Sequence, residues 1–124
     1  MSAYDFYVAQ LRFVAVRTER DSPEVSEMME AIEGFADQVA TSSRFEVPGE
    51  LCRVTGRALA GVAGFLQQHI LPETVAAGNQ FAERQVRWVI DASMTLTATL
   101  TVHAETVSDG ASCPVELPTP PDVD

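Results

Sequence analysis

Few residues in this chain have the chemistry for catalysis or metal binding. The two histidines, His69 and His103, lie far apart in sequence, and neither has a close Cys, Asp or His at ligand spacing. Only Glu73 follows His69 by four residues, across Pro72. Cys52 and Cys113 do not form a close-spaced metal motif. A disulfide between them would need an oxidising compartment, so two unpaired thiols are the simpler expectation. No serine stands in a G-x-S-x-G elbow, and no cysteine has a base placed by motif. The pair Glu30 and Glu33 falls on a periodic polar face, where a solvated surface is expected rather than a general acid and base. The run GRALAGVAG lacks both the lysine of a phosphate-binding loop and the spacing of a dinucleotide fingerprint. The expectation is therefore a protein with no catalytic residues, metal, cofactor or small-molecule substrate, and not an enzyme.

With 124 residues, 46 % of them hydrophobic, the chain is expected to fold as one domain with a modest core. Net charge is −10, and all eight cations are arginine. Nucleic acid is not an expected partner, because phosphate binding needs a concentrated basic patch. No apolar run is long enough to span a membrane. The N-terminus lacks the basic-then-apolar order of a secretory signal: Tyr4, Asp5 and Tyr7 come first, and Arg12 and Arg17 interrupt the apolar part. Synthesis in the cytoplasm follows, with any export using a route that takes no classical signal peptide.

The elements that would carry these residues have distinct patterns. Residues 3–17 are rich in aromatic and β-branched residues, which suits a buried strand. Yet Tyr4, Tyr7, Val8, Leu11, Val14 and Ala15 also form a helical stripe. Ser22 followed by Pro23 marks a helix start, with a hydroxyl cap and a proline whose missing N–H costs nothing there. Val25, Met28, Ile32, Phe35 and Val39 continue it at heptad-like spacing. Pro48-Gly49 is turn chemistry, and a second helix is expected from about Glu50 to Leu71. In it Gly56, Ala60 and Gly64 are spaced four apart, a row that lets another helix approach closely and so offsets the helix propensity its glycines cost. Pro72 predicts a helix end near Leu71 and a bend there, and Gly78-Asn79 offers a second break.

From Val75 onward two periods compete. Val75, Asn79, Ala82, Val86, Val89, Ser93, Leu96, Leu100, His103 and Val107 follow four–three spacing. Over 93–105, however, Met94, Leu96, Ala98, Leu100, Val102 and Ala104 alternate with threonines, which is a strand pattern. The helical period predicts an all-α chain, an antiparallel helical hairpin or small bundle over 1–107. The alternative is an α+β fold with strands at 3–17 and 93–105 packed on two helices. Residues 108–124, with four prolines and four acidic groups, predict a disordered tail. Phe81 and Trp88 stand seven apart on one helix side and, with Phe35 and Phe65, could form a docking surface for another helix.

Ala58-Leu59 through Phe65 before the bend, and Arg84 through Trp88 to Ala92 after it, resemble the elements flanking the bend in the WXG100/ESX superfamily, small helical hairpins exported by type VII secretion in actinobacteria. The likeness is distant and covers about residues 22–107. It departs from the family in having no Trp-x-Gly at the bend and no Tyr-x-x-x-Asp/Glu after the last helix. The resemblance implies a non-enzymatic protein that pairs helix to helix with itself or a protein partner, as a secretion substrate or a small partner that targets a toxin. Its contact surface would include Gly56, Ala60, Gly64, Phe65, Phe81 and Trp88. The rival expectation is a structural or assembly subunit, such as a virion component, with the α+β fold.

Overall fold

The computed structural model describes residues 2–107 and 109–121. The fold is mainly α with one small sheet, in the order α1 (Ala3–Arg17), α2 (Pro23–Thr41), β1 (Arg44–Val47), α3 (Cys52–Phe65), α4 (Leu71–Ala76), α5 (Gln80–Thr106) and β2 (Cys113–Glu116). Segment 3–17 is a helix. Ser2 caps it by accepting from the Asp5 N–H, while the Asp5 carboxylate accepts from the Ser2 N–H. Its buried face is Tyr7, Val8, Leu11, Val14 and Ala15, the helical stripe rather than the strand faces. Ser22 caps α2 through the Val25 N–H, with Pro23 as its first residue.

Segment 93–105 is also helical, so neither strand of the α+β alternative forms. The alternation of apolar residues there has a helical origin. Residues two apart on a helix point to nearly opposite sides, whereas residues four apart share one. Leu96 and Leu100 are accordingly buried, while Met94, Ala98 and Val102 are exposed. The strand-like period is two apolar helix faces interleaved.

The bend differs from the one expected at Pro72. The helix does not stop at Leu71. A π-helical turn at Leu66–Ile70 leads directly into α4, which has Pro72 in its first turn, where a missing donor is tolerated. The chain reverses instead at Gly78, whose φ of +71° is a left-handed conformation suited to glycine. Asn79 then caps α5 by accepting from the Ala82 N–H. α5 runs back along α3, so that Gly56 meets Thr97, Leu100 and Thr101.

The expected disordered tail is ordered in part. Cys113–Glu116 pairs antiparallel with β1, with Val47 opposite Cys113 and Arg44 opposite Glu116. Cys113, Val115 and Leu117 point into the core, and the Leu117 N–H extends the pairing to the Ser43 carbonyl. Pro114, which has no N–H to donate, is exposed. Arg44 and Glu116 form a cross-strand ion pair of 2.9 Å. Residues 108 and 122–124 of the expected tail lie outside the described residues. Among the described residues, no helix is long and apolar enough to cross a membrane.

Candidate functional site

The six residues expected at a partner surface do not share a surface. Trp88 is only 8 % exposed and packs edge-on against Tyr4 and Tyr7, with ring centroids 6.0 and 5.6 Å away. Beside this cluster the Tyr7 hydroxyl and the Ser93 hydroxyl lie 2.9 Å apart, and burial holds the Tyr7 phenol above its ordinary range. Trp88 thus belongs to the chain's own core rather than to an outside helix. Phe65 is half-buried between Phe13 and His69. Gly56 is buried against α5, where an added Cβ would come within 3.2 Å of the Thr101 hydroxyl. Ala60 is half-buried, and Gly64 faces open space, so the small-residue row is closely packed only at its Gly56 end. Phe81 alone of the six is well exposed, at 51 %.

The exposed apolar surface of α5 lies further along the helix. Met94 and Val102 are 49 % and 57 % exposed, with the small Ala98 midway between them. No charged residue occurs between Asp91 and Glu105. The threonines beside this stripe turn their hydroxyls back into the helix: Thr99 donates to the Thr95 carbonyl at 3.1 Å and Thr106 to the Val102 carbonyl at 2.8 Å. Bonded in this way, the hydroxyls compete less for water and the face is less polar than its composition suggests. The spacing alone contained this signal, as a second four-residue repeat offset by two from the core stripe.

A second cluster forms where α3 and β2 begin and α5 ends. Cys52 begins α3, His103 lies in the last turn of α5, and Cys113 begins β2. Their donor atoms all fall within 4.8 Å of one another, with both cysteines buried and His103 half-buried. The chain has no close-spaced ligand motif, and the thiols are unpaired as expected, yet the fold brings both to His103. Ligand spacing along the chain could not reveal the cluster, because each donor comes from a different element and Cys113 from a segment that looked disordered. Both cysteines are free thiols. Burial pushes both up from the ordinary thiol range, and for Cys113 the neighbouring Cys52 adds to the effect. The Cys52 thiol lies 3.4 Å from the Pro48 carbonyl. His103 Nε2 sits 2.7 Å from the Ala111 carbonyl oxygen, which can only accept, so Nε2 is the donor and in the neutral ring Nδ1 carries the lone pair.

The turn beneath the cluster is closely fitted. A Cβ on Gly49 would collide with the Gly110 carbonyl, so only glycine lets the segment after α5 pass against Pro48-Gly49. Gly110 itself has φ of +75°, and the Asp109 carboxylate accepts from the Ala111 N–H at 3.0 Å. These contacts bring Ala111 to His103 and Cys113 to Cys52.

No family model matches the chain, and neither a curated protein nor a solved structure matches it.

Proposed function

We propose that this chain is a non-enzymatic helical protein that pairs with a partner protein through the outer face of α5. The observation that carries the reading is the stripe Met94, Ala98 and Val102 on a rigid helix, uncharged between Asp91 and Glu105. Alanine at its centre allows close approach, and the flanking methionine and valine supply knobs for a second helix. Asp91, Ala98 and Glu105 fall at heptad spacing, so the exposed acids close off both ends of the stripe. A second copy docked antiparallel would set Asp91 against Glu105 at each end. The favoured occupant is therefore an amphipathic helix with arginine or lysine beyond each end of its apolar stripe. The chain's net charge of −10 favours the same partner.

The α3-to-α5 unit, reversed at Gly78-Asn79, is the part in which the reading sees a helical hairpin of the WXG100/ESX kind. On that reading the protein is a type VII secretion substrate or a companion that targets a toxin, and Phe81 beside the bend extends the contact surface. Co-expression with the products of neighbouring genes tests it. The expected result is a one-to-one complex with a helical partner that Val102→Asp abolishes while the far-UV circular dichroism of the chain is unchanged. A complex indifferent to Val102→Asp and Met94→Asp, or a homodimer in its place, contradicts the reading.

A further inference from the structure

We propose that Cys52, His103 and Cys113 form a binding site for a thiophilic divalent cation, with zinc the best fit. Two sulfurs and one imidazole nitrogen are the donor set such an ion prefers, and three protein ligands leave a fourth position for water or another group. Tetrahedral zinc holds its ligand atoms roughly 3.5–3.8 Å apart. The three donors already lie within 4.8 Å of one another, so each has only a short distance to close.

Three further features support the site independently of that distance. First, Nε2 of His103 donates to the Ala111 carbonyl, the arrangement that orients a metal-bound histidine and leaves Nδ1 as the ligand. Second, the fold fixes two of the donors: β2 pairing sets Cys113 opposite Val47, and the Pro48-Gly49 turn leads from Val47 straight to Cys52. Third, the charges match: two thiolates and a neutral imidazole cancel those of a dication, so the bound site adds no net charge to a buried corner. As the two metal–sulfur bonds form, each thiol gives up its proton to solvent. A shallow groove lined by Ala98, Val102, His103 and Cys113 reaches two of the three ligands from outside and provides a path of entry. Bound metal would fasten β2 to the ends of α3 and α5, beside the exposed α5 stripe.

The test uses the full chain, reduced and stripped of metal, with zinc titrated against a chromophoric chelator and cobalt(II) as a spectroscopic probe. The expected result is one ion per chain, a cobalt spectrum with the intense visible bands of a tetrahedral site and a thiolate charge-transfer band, and a zinc-dependent rise in Tm. His103→Ala alters a half-exposed side chain and is expected to fold, as checked by circular dichroism. It should lower zinc affinity by at least about 100-fold, more than the 10–100-fold usual for losing an outer-shell partner. Cys113→Ser should do the same and remove part of the charge-transfer intensity. Zinc binding that is absent from the reduced wild type, or equal in wild type and His103→Ala, overturns the proposal. So does a cobalt spectrum without thiolate bands. Failure of this test would leave the α5 docking surface untouched, since Val102→Asp probes that separately.

Discussion

The two faces of α5 are both largely apolar but differ in burial. The inner face, Val86, Val89, Ser93, Leu96 and Leu100, is buried, and Leu100 packs against Gly56 of α3. The outer face, Met94, Ala98 and Val102, repeats every four residues, against the three–four spacing of the inner face, and stays exposed. The inner face also makes specific polar contacts. Ser93 meets Tyr7, and the Thr97 hydroxyl lies 3.0 Å from the Gly56 carbonyl, reaching across to α3. The outer face makes only local ones, threonine to its own helix. One helix thus has a face that specifies its own fold and a face that is left apolar without contributing to it.

The largest expected contrast between the faces comes from truncation. Leu100→Ala removes a fully buried side chain and should cost about 2–5 kcal/mol of unfolding free energy. Val102→Ala, two residues on, should fall within about 0.5 kcal/mol of wild type. Urea denaturation measures both, and equal losses would mean that the two faces are not distinct.

A smaller effect comes from the inner polar pair. Tyr7→Phe leaves the Ser93 hydroxyl without its partner and should cost about 1 kcal/mol at neutral pH. The same variant has a pH signature. Because burial raises the folded phenol above its unfolded value of about 10, the stability it contributes is complete below that pH. Above it the unfolded chain ionises first, and stability falls by up to about 1.4 kcal/mol per pH unit. Tyr7→Phe should flatten this alkaline loss, and an unchanged slope would remove Tyr7 from the account. Gly64→Ala on α3 should act in the opposite direction, raising stability slightly. Nothing lies within 4 Å of the added methyl, so the variant should gain roughly 0.5–1 kcal/mol from helix propensity alone. A loss there would reveal packing on Gly64 like that on Gly56.

The parts of this fold that were legible in the sequence are those governed by local chemistry. The Ser22-Pro23 start and the four–three core pattern of α5 each depend on neighbours within a turn or two, whereas 3–17 carried a strand and a helix pattern at once. The bend was harder. Pro72 looked like a stop, but a π-helical turn before it keeps the chain helical, and only the positive φ at Gly78 reverses it. The small sheet was hardest. Its strands have four residues each and meet across most of the chain, and β2 contains a proline that suggested disorder. Its one local clue was the alternation of Cys113, Val115 and Leu117. The cluster of Cys52, His103 and Cys113 was invisible for the same reason, because it exists only once β2 is paired. The six residues expected at a partner surface were not separable by pattern into core and surface. Aromatic size and helix side pointed to Trp88, but the competition between core and surface is decided by α1, whose Tyr4 and Tyr7 cover it.

The two-faced helix is tested most directly by placing single cysteines at positions 94, 96, 98, 100 and 102 and measuring their labelling rates in the native chain, with the buried Cys52 and Cys113 as slow internal references. The account predicts rapid labelling at 94, 98 and 102, slow labelling at 96 and 100, and protection of the fast three in the partner complex. Uniform labelling at all five positions, as one face of a strand would give, would contradict it.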